Sequence, residues 1–281
     1  MVAGQPAGTP RGRWSTLDVR TDGPVAWVRF DRPDARNAAT TEMVGELPEA
    51  LAELAADDAL SVVVLTGNGR MFCPGADLDR AGGDRPVELP PLAVYQSATL
   101  LHEMPQLTVA AVNGGCAGAG FAWAAACDLR IAAARARFST AFLELGLASE
   151  LGLPWTLTRA LGGAVARELC FLPRKLDAEQ ARQLGFVSTV LPDDRFDDEV
   201  AALARELGGR SGTALRTLKA NFLLAENTGL ADFVEEEGRR HQSFFTGAAR
   251  DRAMAALREQ GARVRTTTAD DIPTEGTPDG H

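Results

Sequence analysis

The chain has 281 residues and a formal net charge of −9, with 45% hydrophobic and 24% charged side chains. That is enough apolar material to order a soluble globular domain, which excludes disorder for the bulk of the chain. An acidic chain repels phosphate backbones and anionic bilayers, so nucleic-acid binding and attachment to a membrane surface are not expected.

Residues 1–12 are rich in Gly, Pro and Ala, have no apolar core of signal-peptide length, and are expected to be flexible. Val25–Phe30 (VAWVRF) reads as a strand that ends at Asp31-Arg32-Pro33. Residues 40–55 follow with Met43, Leu47, Leu51 and Leu54 at helical spacing behind the potential caps Thr40 and Thr41. Pro48 is expected to bend or divide that helix. Residues 61–66 (SVVVLT) form a continuous apolar run, the mark of a strand buried on both faces, and stop at Gly67-Asn68-Gly69. Leu107–Val112 is the next such strand, residues 121–128 read as a short buried helix, and 129–132 as another strand. Buried strands separated by helices imply an α/β fold with a parallel sheet. Beyond about residue 197 the strand signals stop. Helical periodicity then covers 198–207, 215–226, 230–245 and 250–258, and the polar tail 263–281 is expected to be flexible.

The four cysteines (Cys73, Cys116, Cys127 and Cys170) form no CxxC pair and read as buried thiols of a reducing, cytoplasmic protein. No clustered metal ligands occur, so no metal is expected. Two glycine-containing strand-to-helix junctions stand out: residues 71–79 (MFCPGADLD) and 110–132 (AAVNGGCAGAGFAWAAACDLRIA). Each brings backbone with little side-chain bulk to a helix N-terminus, where N–H groups are exposed. Two such N–H groups aimed at one oxygen make an oxyanion hole. Close packing of the junctions accounts for the same glycines.

Together, RPDARNA (32–38), VVVLTGNGRMFCPGADL (62–78), AAVNGGCAGAG (110–120) with CDLRIA (127–132), and FSTAFLELGL (138–147) resemble the crotonase superfamily, the enoyl-CoA hydratase/isomerase family. The resemblance spans roughly residues 14–262. It implies a spiral of ββα turns over 13–196 and a C-terminal helical trimerisation region over 197–262. It also implies an acyl-CoA thioester substrate, with coenzyme A carried as part of the substrate and no separate cofactor, and a homotrimer or hexamer.

By the same resemblance, the oxyanion donors are the N–H groups of Ala76, after Gly75, and of Ala119, between Gly118 and Gly120. Gly120 would open the helix that follows. Family hydratases carry two glutamates at positions that here hold Ala122 and Phe142, neither of which moves a proton. Glu150 matches the place where several family isomerases carry a catalytic Asp or Glu. Its alternative role is to cap or salt-bridge the next helix. One carboxylate suffices for a double-bond shift, so isomerisation is the expected chemistry. Hydration through Glu150 alone is the runner-up, and a non-catalytic binding protein or a specialised biosynthetic enzyme stays open. Trp123, Phe142, Leu147 and the segment 82–95 are expected pocket walls, with Trp123 and Phe142 fitting plain core equally well. The proline-rich stretch 81–91 reads as a lid. Arg29, Arg32 and Arg36 are candidates for coenzyme A phosphates, and Asp77 for holding the loop. His102 and His241 fall in no persuasive Ser/His/Asp order.

Overall fold

The computed structural model describes residues 8–10, 13–77 and 91–246. The proposed lid over 81–91 (Pro91 apart), the helix over 250–258, the tail 263–281 and most of 1–12 lie outside the described residues. The chain divides after Ala220 into two compact units.

In the first unit the strands are β1 (Thr9–Pro10), β2 (Leu17–Asp22), β3 (Val25–Phe30), β4 (Val62–Gly67), β5 (Leu107–Val112), β6 (Gly115–Ala117), β7 (Leu129–Ala133), β8 (Arg137–Ser139), β9 (Leu176–Asp177) and β10 (Thr189–Leu191). One sheet runs in the order β1-β2-β3-β4-β5-β7-β10, and a small one in the order β6-β8-β9. The pairs β1/β2 and β2/β3 are antiparallel, and from β3 to β10 every pairing in the large sheet is parallel. Every residue of β3 and β4 is buried, Arg29 and Thr66 among them, as befits strands covered on both faces. Thr9 and Pro10, expected in a loose terminus, pair with Thr21 and Arg20 on the free edge of β2.

α1 (Thr41–Ala55) is capped as the sequence predicts, the Thr40 hydroxyl accepting from the Met43 N–H at 3.2 Å. It runs unbroken through Pro48, against expectation. Pro48 stands off the buried stripe of Met43, Leu47, Leu51 and Leu54. Burying those four side chains contributes roughly 1.5–3 kcal/mol each. That outweighs the about 3 kcal/mol that a mid-helix proline costs. α2 (Ser97–Glu103) and α3 (Ala119–Ala126) pack on the same sheet face as α1. α3 is apolar all round and wholly buried. α3 starts at Ala119, not after Gly120, because Gly118 with φ +52° breaks the chain direction one residue earlier.

Three short helices were not legible in sequence: α4 (Leu153–Leu161), α5 (Gly163–Phe171) and α6 (Ala178–Gln183). α7 (Phe196–Gly208) covers the opposite sheet face, burying Phe196, Val200 and Ala204 against Trp27, Val64 and Ile131. α8 (Gly212–Ala225) carries buried Lys219, which pairs with Asp128 at 2.8 Å and donates to the carbonyls of Gln106 (2.9 Å) and Leu101 (3.2 Å). In the second unit, α9 (Leu230–Ser243) is a polar helix laced by Arg239 and Arg240 pairing with Glu235 and Glu236.

β5, β6 and α3 make one ββα turn, and β7 and β8 begin the next. This alternation brings the two glycine junctions side by side.

Candidate active site

The two junctions run parallel and in register. Cys73 and Cys116 form a parallel bridge, with the Cys73 N–H donating to Gly115 O at 3.1 Å and the Ala117 N–H donating to Cys73 O at 3.0 Å. Two residues on, Gly75 and Gly118 meet, and both have positive φ (+104° and +52°). A methyl built on Gly118 would stand 3.3 Å from Gly75 Cα, a tight approach that leaves little room for a side chain. Next in each chain come Ala76, exposed, and Ala119, buried at the start of α3. Neither N–H donates to another described residue. Ala119 is free because a first-turn N–H has no intrahelical acceptor. Ala76 is free because its bridge to Ala39 uses the neighbours: Ala39 N–H donates to Gly75 O (2.8 Å) and Asp77 N–H to Ala39 O (2.9 Å). Two unengaged N–H groups at matching positions, one on a helix N-terminus, can stabilise charge on an oxygen.

Side chains staple this frame. Arg32 Nη2 pairs with Asp77 Oδ2 at 2.9 Å, and Nη1 donates to Ala38 O. Buried Asn37, at φ +59°, accepts from Arg32 N–H (2.9 Å) and donates to the carbonyls of Asn68 (2.9 Å) and Met71 (2.7 Å). Asn113 donates to Gly67 O and Gly69 O. Residue-by-residue reading gave no role to Asn37. Its signal was an amide beside the left-handed turn that ends β3, a conformation Asn tolerates.

Glu150 lines a cavity of about 990 Å³. Its carboxylate makes no hydrogen bond or ion pair with another described residue, and burial raises its pKa above the ordinary carboxylate value. The alternative of a cap is not met: Gly152 is the N-cap of α4, with no side-chain cap. Leu151 and Gly152 both sit at positive φ (55° and 67°), and such strain at a leucine gathers at functional sites. Ala76 and Ala119 do not line this cavity. Cys73, buried beside Gly75 and Gly120, has its thiol pushed up to about 12 by burial first and by the Glu150 charge in part.

Phe142 and Leu147 line the cavity. So do Tyr95, Thr99 and His102, spaced along one stripe of α2 and the turn before it. Sequence reasoning had set His102 aside. Its ring packs edge-to-face on Trp155 at 5.1 Å, and the Arg159 guanidinium stacks on Trp155 at 3.5 Å. Trp123 is core and not pocket: it is fully buried, with Nε1 on Ser97 Oγ at 2.9 Å and its ring 5.2 Å from Phe30. Arg29, one of the three phosphate candidates, lies elsewhere in the fold. It lies over Trp27 on the sheet face that α7 covers, away from Ala119, and burial lowers its pKa. Arg32 is taken up by Asp77 and Ala38, whereas Arg36 is exposed. Gly120 is needed for packing, since a methyl there would come within 2.1 Å of Cys73 O.

The enoyl-CoA hydratase/isomerase family matches residues 20–264. A Mycobacterium tuberculosis H37Rv protein named "Probable enoyl-CoA hydratase EchA12" is 37% identical over 255 residues, 86% of this chain and 89% of that protein. Among solved structures, enoyl-CoA hydratase subunit I of Geobacillus kaustophilus HTA426 superposes with a TM-score of 0.80 at 30% identity, covering 89% of this chain and 97% of that one. A Thermobifida fusca YX protein, solved in complex with acetoacetyl-CoA, superposes with a TM-score of 0.75 at 30% identity, covering 82% and 94%.

Proposed function

The chain belongs to the enoyl-CoA hydratase/isomerase family, and on that premise we propose that it is an acyl-CoA isomerase that moves a double bond with one carboxylate. Glu150 carries the proposal: it is a carboxylate with a raised pKa in the cavity, unpaired among the described residues, while by the family resemblance Ala122 and Phe142 stand where hydratases carry glutamates. In this reading Glu150 takes a proton from C2 of a 3-enoyl thioester. The Ala76 and Ala119 N–H groups hold the resulting dienolate oxygen, and Glu150 returns the proton at C4. No atom is gained or lost. A raised pKa suits a group that must both take and give the proton.

Phe142, Leu147, Tyr95 and His102 would flank the acyl group, and exposed Arg36 is the candidate for a coenzyme A phosphate. The bound acetoacetyl-CoA of the Thermobifida fusca neighbour supports a thioester ligand. Assembly of at least three copies through 197–262 is part of the same reading. Exposed Leu218, Phe222, Leu230 and Val234 support it, and sedimentation as a monomer at working concentration would refute it.

A second reading, hydration through Glu150 alone, is favoured by the hydratase names of the relatives. Incubation with a 2-enoyl-CoA and a 3-enoyl-CoA, each on its own, separates the two. Conjugated-thioester absorbance gained from the 3-enoyl substrate without mass change supports isomerisation. Absorbance lost from the 2-enoyl substrate, with one water added, supports hydration. Binding of both without turnover would leave an acyl-CoA-binding protein or a specialised enzyme.

A further inference from the structure

Ala76 is held in place from both sides by bonds that converge on one guanidinium. Its neighbours Gly75 and Asp77 are both hydrogen-bonded to Ala39. Ala38, next to Ala39, offers its carbonyl to Arg32 Nη1, and Asp77 offers its carboxylate to Arg32 Nη2 at 2.9 Å. The side chains of Arg32 and Asp77 are only 14% and 10% exposed, so this is a largely desolvated pair. Arg32 is itself fixed, its N–H donating to Asn37 Oδ1 at 2.9 Å and its carbonyl accepting from Asn37 N–H at 2.8 Å.

We infer that Arg32 and Asp77 are positioning residues, and that their pair sets the direction of the Ala76 N–H and so the strength of the oxyanion contact. This rests on the oxyanion reading above. A planar fork is required because one group must reach a carbonyl and a carboxylate at once. Lysine, a single ammonium on a flexible stem, does not reproduce that geometry. A misplaced donor costs far more in rate than in ground-state affinity, because the contact polarises the bound carbonyl weakly and strengthens as charge develops.

The test uses Arg32→Lys and Asp77→Asn in the full chain, with thermal melts to confirm folding; the near-isosteric Asp77→Asn serves if Arg32→Lys does not fold. The first readout is the infrared carbonyl stretch of bound butyryl-CoA, which cannot be turned over. The second is kcat and KM on whichever enoyl isomer the parent uses, presented on coenzyme A and on pantetheine, which lacks the nucleotide. We expect the carbonyl shift to shrink in both variants and kcat to fall by about tenfold or more. We also expect KM to stay nearly constant, the defect to be equal on both carriers, and the double variant to be no worse than the poorer single one. A rise in KM confined to the coenzyme A carrier would make Arg32 a phosphate ligand and overturn the inference. A parent shift that persists in both variants would overturn the inference alone. A parent that leaves the carbonyl unshifted would remove the oxyanion reading and this inference with it.

Discussion

Gly75 and Gly118 touch backbone to backbone, with a methyl on Gly118 placed 3.3 Å from Gly75 Cα, one residue before Ala76 and Ala119 in their respective junctions. Gly118 also has φ +52° and ψ −122°, a region that residues with a side chain avoid. Gly118→Ala is therefore expected to destabilise the fold by about 1–3 kcal/mol and to lower kcat/KM as the junctions part. The urea midpoint and steady-state kinetics check this. Parent-like stability and activity together would show that the contact is incidental.

Glu150→Gln keeps the shape of the side chain and removes its basicity. A loss in kcat of about 10²–10⁴-fold is expected, because that is the usual contribution of a positioned acid or base. Binding of a saturated acyl-CoA should be retained. Full activity in this variant would sink both the isomerase and the hydratase readings.

The raised pKa of Glu150 has opposite consequences for rate and stability. The folded chain holds this proton more tightly than the unfolded chain, so stability falls as pH rises from the ordinary carboxylate range through the raised folded value. Glu150→Gln should consequently melt higher than the parent at neutral pH, with the difference closing in acid. The kcat profile of the parent should lose activity on acidification at a pH above the usual carboxylate range. Calorimetry at several pH values and a pH–rate profile test the two limbs separately.

Asp128 anchors α8 through buried Lys219, and also accepts from the Thr108 N–H (2.7 Å) and hydroxyl (2.9 Å). Asp128→Asn leaves a buried ammonium without its counter-charge, at an expected cost of about 3–5 kcal/mol. The double substitution Asp128→Asn with Lys219→Met should recover much of that. A double-mutant cycle by chemical denaturation measures it, and additive losses would mean that the pair is not coupled.

The strands β3, β4, β5 and β7 were legible because strands of a parallel sheet covered on both faces are mostly apolar, which leaves runs interrupted only by Arg29, Thr66, Thr108 and Arg130. The cap of α1 was legible because a helix start has a local chemical signature in Thr40. The course of α1 through Pro48 was not, because burial of Met43, Leu47, Leu51 and Leu54 is a tertiary energy. The helices α4 to α6 were hidden for the same reason. They are short, and packing against the core holds them more than their own periodicity does.

At the candidate site, the sequence by itself determined the order of the glycine junctions and the presence of Ala122, Phe142 and Glu150. These follow from residue identity, and identity is local. Only the tertiary structure decided that Trp123 is core, that Arg29 faces α7, that Arg32 is committed to Asp77, and that His102 shares a cavity with Glu150. Each depends on which side of a strand or helix a residue faces and on what the distant chain brings against it. Spacing along the sequence does not fix those relations for short elements; the packing of the sheet faces does.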